Sequence, residues 1–280
     1  MRPCEESCGA VFPYAILGSR VAVLRLQNVG KRYHRHGKRD LFAKKAIAAL
    51  KKSGDDFWAL RDVSFTIDRG ETVGVLGRNG AGKSTLLGVV VGVTAPTQGT
   101  VEREGRISAL LELGAGFHPD LTGNENVSLH ASLMGLTEQQ VEERRESIVR
   151  FAEMERFIEE PLRTYSSGML ARLGFSVAVH VEPDILVLDE VMAVGDAAFQ
   201  DKCREQVAKM SAAGTTLLFV SHSEAFVRGM CRRAIWLEDG TVRADGPAGT
   251  VLDQYKRDSN TGEVAQQDAD PVSDSGRAPA

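Results

Sequence analysis

Apolar and polar positions change period repeatedly along this chain, and the changes predict alternating strands and helices. Val21 to Asn28 ends in the in–out alternation of a strand. Asp62 to Asp68 alternates likewise, turns at Arg69-Gly70 and leads into the apolar run Glu71 to Leu76, a pattern that predicts a hairpin. Lys83 to Val91 reads as a helix, Pro96-Thr97-Gln98-Gly99 as a turn, and Thr100 to Arg103 and Ile107 to Leu113 as strands. From Thr122 to Phe151 the period is helical. Thr137-Glu138-Gln139-Gln140 is a capping box opening a charged helix that runs to about Glu153, and Asn124 is the expected cap of the helix before it. An apolar-faced helix follows from Leu170 to Val181. Buried strands are expected at Ile185 to Leu188 and Thr215 to Val220, with a helix over Ala198 to Met210 between them. A strand at Ala234 to Leu237, an Asp239-Gly240 turn, a short strand and a helix near Thr250 to Lys256 complete an α/β pattern. Residues 1–20 lack periodicity and are expected to be a flexible leader. Residues 257–280 are polar with Pro and Gly and are expected to be a disordered tail, which leaves 21–256 as the folded domain.

Composition narrows the class. The chain has 280 residues, 42% of them hydrophobic, enough for a sizeable core. No apolar run approaches the roughly 20 residues of a membrane-spanning helix, so a membrane role would come through a partner. Ala10 to Leu24 is interrupted by Pro13 and Arg20 and preceded by Glu5 and Glu6, which argues against a secretory signal. Cys4, Cys8, Cys203 and Cys231 form no metal-ligand spacing with His, and reduced thiols are expected. A net charge of -4 argues against nucleic acid as the partner. Against that background, Lys31 to Lys52 carries nine Lys or Arg residues and one acid, Asp40, with Leu41 to Leu50 patterned as a weak amphipathic helix. A solvated loop is the plain reading of such a run. A membrane-facing or partner-facing element is the alternative.

Gly77-Arg78-Asn79-Gly80-Ala81-Gly82-Lys83-Ser84-Thr85 fits the phosphate-binding pattern G-x-x-x-x-G-K-[ST] at every fixed position. A short apolar strand precedes it and a helix follows, which is the context this motif requires. Side chains at the glycines would hold backbone N–H groups away from phosphate oxygens, while the helix N-terminus offers unpaired donors and partial positive charge. Lys83 is then expected to reach the β- and γ-phosphates of ATP, and the Ser84 hydroxyl to ligate Mg²⁺.

A second stretch, Asp184-Ile185-Leu186-Val187-Leu188-Asp189-Glu190, is an apolar strand delivering two carboxylates to its C-terminal end, where open α/β sheets bind ligands. Asp189 is the expected Mg²⁺ holder. Glu190 is the expected general base for the water that attacks the γ-phosphate. Taken alone, an acidic strand end is just as well explained by turn chemistry. Tyr165-Ser166-Ser167-Gly168-Met169 before the apolar-faced helix, His222 after the strand Thr215 to Val220, and Tyr33 are likewise unremarkable singly: a helix start, a structural histidine and a core aromatic.

In this order the elements resemble the nucleotide-binding subunit of an ABC transporter, over about Val21 to Lys256. The resemblance implies a P-loop NTPase fold of the ABC type with an antiparallel β subdomain and an α-helical subdomain at about 122–180, the latter coupling to a membrane partner. It further implies that Tyr33 stacks on adenine, that Ser167 and Gly168 reach the γ-phosphate held by a second copy, and that His222 contacts that phosphate in cis. Two departures narrow the subfamily. No glutamine lies between Gln98 and Gln139, so the usual Gln-loop residue is absent and Glu112, within Leu111 to Pro119, is the candidate oxygen donor to Mg²⁺. The signature reads Ser-Ser-Gly-Met, the segment after the acidic pair is Val191 to Asp196, and Phe57-Trp58-Ala59-Leu60 follows the basic run. These features look like the ATPases that export O-antigen, capsule and teichoic-acid polysaccharides. Expected partners are therefore a second copy in a homodimer, an integral permease and, through it, a lipid-linked polysaccharide, at the cytoplasmic face of the membrane. The rivals are the ATPase of an importer or drug exporter and a soluble ABC ATPase of DNA repair or the ribosome.

Overall fold

The computed structural model describes residues 21–34, 56–110, 116–189, 195–221 and 223–267, with side chains described to 258. Two sheets share the centre. One is antiparallel, with the order β2-β1-β4, formed by β1 (Ala22–His34), β2 (Asp56–Asp68) and β4 (Gln98–Arg103). The other has six strands in the order β5-β6-β7-β3-β8-β9: β5 (Ile107–Leu110), β6 (Ile185–Asp189), β7 (Thr216–Val220), β3 (Thr72–Leu76), β8 (Arg233–Glu238) and β9 (Thr241–Pro247). All its pairings are parallel except β8 with β9, which the Asp239-Gly240 turn makes antiparallel. Strands β3 and β7 are buried at all five positions, as expected of parallel strands covered on both faces.

Between the sheets lies α1 (Lys83–Val91), whose Leu86, Leu87, Val89 and Val90 pack with Leu24, Leu26, Phe65, Ile67 and Val75. The opposite face of the large sheet carries α4 (Ser167–His180), α5 (Ala197–Ala212), α6 (Glu224–Met230) and α7 (Ala248–Gln267), around Phe175, Phe199, Phe219 and Trp236. A separate cluster, including Val127, Ala131, Val141, Ile148 and Leu173, joins α4 to α2 (Gly123–Leu133) and α3 (Glu138–Ala152) in a helical subdomain.

Several expectations need correction. Strand β2 does not form a hairpin with β3. It pairs with β1, setting Phe65 opposite Leu26 and Ile67 opposite Leu24, and the chain then crosses at Arg69-Gly70 into the other sheet. Both faces of the α1 layer need apolar cover, and a β2–β3 hairpin would supply only one. The cap of α2 is Thr122, with Glu125 closing a capping box, and Asn124 lies inside the helix. The box expected at Thr137 and Gln140 is formed as read. Strand β5 ends at Leu110; the remainder of the expected strand lies in 111–115, outside the described residues. Arg257, expected to start the tail, falls within α7, which continues to Gln267. The leader at 1–20 and most of the basic run, residues 35–55, lie outside the described residues.

Candidate nucleotide site

The chain between β3 and α1 is shaped by what lies beneath it. A Cβ at Gly77 would sit 2.4 Å from the Leu237 carbonyl oxygen, so β8 passes under the loop too closely for any side chain. Gly82, at φ +103°, offers no side chain to the N–H groups of α1, and a Cβ there would meet the Ala59 carbonyl oxygen at 2.5 Å. The Asp239-Gly240 turn completes the support: Gly240 N–H donates to the Ala81 carbonyl (3.0 Å) and Arg61 N–H donates to the Gly240 carbonyl (2.7 Å). The loop is thus held from below by β2 and by the β8–β9 turn. Arg78, Asn79 and Gly80 remain exposed above it.

Lys83 spans this loop. Its Nζ donates to the carbonyls of Gly77 (2.6 Å) and Arg78 (3.1 Å), so two of the three ammonium donors brace the loop that the residue itself closes. A cavity of about 370 Å³ opens beside it, lined by Phe57, Ala59, Asn79, Gly80, Gly82, Lys83, Ser84, Thr85 and Asp189. Asp189 arrives there through sheet register: it pairs with Val220 on β7, and Val220 pairs with Val75 on β3. The carboxylate and the base of the loop therefore share one row of the sheet, two strands or about 10 Å apart. Ser221 N–H donates to the Val75 carbonyl at 3.2 Å, keeping β7 in register up to the residue before His222.

The Ser84 hydroxyl and the Asp189 carboxylate are hard oxygen donors on one cavity, a set suited to Mg²⁺ shared with substrate phosphates and water. Glu112, Glu190 and His222 lie outside the described residues. Among the described residues no group of three or more His, Cys, Asp or Glu could hold a metal by itself.

Tyr33 is exposed but does not line the cavity; its cross-strand partner Phe57 does. The Lys31 ammonium lies 5.1 Å from the Tyr33 ring centroid and donates to the Ala95 carbonyl at 2.9 Å. Phe57 is the pocket residue that reading the sequence missed. Its signal was its pairing with Tyr33 across the basic run, visible only once the register is known.

Ser167 and Gly168 open α4 away from this cavity. Ser166 is the cap, its hydroxyl accepting from Met169 N–H at 3.2 Å, and Ser167 is exposed in the first turn. Tyr165 anchors the turn: it is buried and donates its hydroxyl to the Phe157 carbonyl at 2.5 Å, and burial helps to push its pKa up to about 12. The loop at 117–122 is tied to the approach of this motif, with Leu162 N–H donating to Leu121 carbonyl (2.9 Å) and Arg163 N–H to Pro119 carbonyl (2.8 Å). Asn126, fully buried, accepts from His118 N–H (2.7 Å) and donates to the carbonyls of His118, Leu121 and Thr122.

A glycine-shaped phosphate loop at the C-terminal edge of a parallel sheet, with a serine and an aspartate on one cavity, defines a P-loop nucleotide-binding protein. The family described as ABC transporter matches residues 60–193. The O-antigen export system ATP-binding protein RfbB of Klebsiella pneumoniae is 50% identical over 242 residues, covering 84% of this chain and 98% of that one. The teichoic acids export ATP-binding protein TagH of Lactococcus lactis is 43% identical over 215 residues, 77% of this chain and 46% of its own length. A solved ATP-binding subunit of an ABC transporter superposes with a TM-score of 0.68 at 24% identity, covering 84% of this chain and 93% of the other. This chain belongs to the ATP-binding subunits of ABC transporters.

Proposed function

We propose that this chain hydrolyses ATP to drive export of a lipid-linked cell-surface polysaccharide across the cytoplasmic membrane. The observation that carries the ATPase part is the cavity shared by Lys83, Ser84 and Asp189, since it sets phosphate donors and metal donors on one wall. The polysaccharide part is supported by the likeness to O-antigen and teichoic-acid export proteins, the first over almost that relative's whole length.

In this reading Lys83 and the N–H groups of Arg78 to Thr85 bind the β- and γ-phosphates, and Tyr33 stacks on the adenine. Ser84, Asp189 and Glu112 would hold Mg²⁺, which supplies charge neutralisation between the phosphates when bound. Glu190 takes the proton of the attacking water, and His222 fixes the γ-phosphate from the same chain. Ser167 and Gly168 would close the site from a second copy, which fits their place away from the cavity of their own chain. Each site then needs both copies, and the dimer is isologous about a two-fold axis. Among the described residues no helix is long and apolar enough to cross a membrane, so the subunit would work peripherally, through a separate permease.

Glu190→Gln tests the whole reading. It keeps shape and hydrogen bonding but removes the base, and should lower turnover about 10² to 10⁴-fold while retaining ATP binding. Cells relying on that variant should accumulate undelivered lipid-linked polymer inside. Normal surface polysaccharide in such a strain would refute the export role, and wild-type turnover would refute the assignment of the base.

A further inference from the structure

The second polar cluster of the molecule lies where three helices meet, outside the nucleotide cavity. Arg172 is on α4, about one and a half turns after Ser167. Its side chain is only 17% exposed, and its two terminal nitrogens diverge. One donates to Glu153 Oε2 at 2.8 Å, at the C-terminus of α3; the other donates to Asp196 Oδ2 at 2.7 Å, at the N-terminus of α5. The guanidinium also lies 4.9 Å from the Phe199 ring centroid.

The two arms differ in what they hold. Glu153 is a helix end, left-handed at φ +59°, whose other oxygen accepts from Lys202 Nζ at 3.2 Å. That arm joins helix to helix. Asp196 instead ends the segment that leaves β6 at Asp189. Its Oδ1 caps α5 by accepting from Phe199 N–H at 2.9 Å, so one carboxylate is divided between its own helix and the helix that begins at Ser167. Gly195 before it is left-handed at φ +72°, and a Cβ there would lie 3.2 Å from Arg172 Nε and 3.3 Å from Phe199. The chain therefore turns directly against the arginine, in a conformation that favours glycine. The contact fixes one end of the seven-residue span from Asp189 to Asp196, which contains Glu190, while β6 fixes the other.

We propose that Arg172 is a positioning residue for hydrolysis: through Asp196 it holds the segment carrying Glu190 in register with the Ser167-Gly168 helix start. This rests on the ATPase reading above. An arginine is suited to the task because its planar fork meets two carboxylates at once, which a lysine point charge cannot do in one geometry. The contact touches no phosphate, so its loss should lower turnover and leave nucleotide affinity alone.

The test separates the two arms. Asp196→Asn keeps an oxygen for the α5 cap but removes the charge that Arg172 meets; Glu153→Gln makes the same change on the other arm. Turnover, affinity for a non-hydrolysable ATP analogue and Tm are measured for both, and for Arg172→Ala and Arg172→Lys. Asp196→Asn and Arg172→Ala should lower kcat about tenfold or more with affinity within twofold of wild type, and Arg172→Lys should recover only part of the loss. Glu153→Gln should keep kcat within twofold even where Tm falls. Equal kcat in the Asp196→Asn and Glu153→Gln variants, or kcat losses that simply follow Tm, would overturn the proposal. An absence of ATP hydrolysis by the wild-type subunit, with or without its copurified membrane partner, would instead refute the ATPase reading itself.

Discussion

Tyr33 and Phe57 stand opposite each other across β1 and β2, and of the pair it is Phe57 that lines the nucleotide cavity. Directly paired residues on neighbouring strands present their side chains on the same face, so the two rings form one aromatic edge beside the phosphate loop. Stacking of a base on an aromatic ring contributes about 1–3 kcal/mol. Phe57→Ala should therefore weaken ATP binding roughly 5-fold to 100-fold, and at least as much as Tyr33→Ala. Titration with a fluorescent ATP analogue checks this; an unchanged affinity in Phe57→Ala would leave the adenine to Tyr33 alone.

Two loop glycines should respond differently to alanine. At Gly77 the added Cβ would meet a backbone oxygen at 2.4 Å, and backbone cannot rotate aside, whereas at Gly80 no atom lies within 4 Å and only the φ of +83° opposes the change. Overpacking of the first kind costs about 1–3 kcal/mol or more, against about 1–2 kcal/mol for the left-handed conformation alone. Thermal unfolding should rank Gly77→Ala below Gly80→Ala. The reverse order would mean that β8 does not support the loop as described.

The parts of this architecture written in local chemistry were legible in the sequence, and the parts that depend on distant partners were not. Helix α1 begins at Lys83 and ends at Val91 as read, because the loop motif fixes its start and Gly92, left-handed at φ +93°, its stop. The box at Thr137 and Gln140 is equally local. Thr122 and Glu125 carried the same signal for α2, and Asn124 drew the assignment only because it is also a good capping residue. Strand β2 was placed correctly but paired wrongly, since nothing near Phe65 says that Leu26, and not β3, will face it. Within the site, Lys83, Ser84 and Asp189 converge as the two motifs imply, while Phe57 and the fork at Arg172 depend on register and on helix packing. Helix α6, only seven residues long, was too short to show a period.

Tyr165 sits where the signature begins, and its hydroxyl bond to the Phe157 carbonyl holds the preceding loop. Gly123 makes room for it, since a Cβ there would lie 2.4 Å from that hydroxyl. Tyr165→Phe leaves the carbonyl without this donor and should cost about 1–3 kcal/mol. In a domain of this size each kcal/mol is about 2–4 °C of Tm. Gly123→Ala should cost at least as much, because it displaces the ring itself. Wild-type Tm in both variants would show that the contact does not bear on stability.

Two buried histidines make acid sensitivity the last expectation. His130 is 9% exposed, its Nδ1 has no hydrogen-bond partner, and its ring meets Phe117 edge-on at 4.9 Å. Burial lowers its pKa below the model-peptide value of 6.5, because the cation would lose its water without gaining a partner. His180 is lowered as well, first by burial, then by Arg144 and Lys202, against the opposing influence of the Ser176 carbonyl and Glu182. For each, the folded state binds the proton less tightly than the unfolded chain does. Stability from these groups is therefore complete above pH 6.5 and is lost as the pH falls from there toward the lower, folded-state pKa. Tm should fall between pH 7.5 and 5.5, and His130→Phe, which keeps an aromatic against Phe117 and cannot be protonated, should flatten that fall. An equally steep slope in His130→Phe would remove His130 as a contributor, and a Tm that rises on acidification would contradict the sign for both.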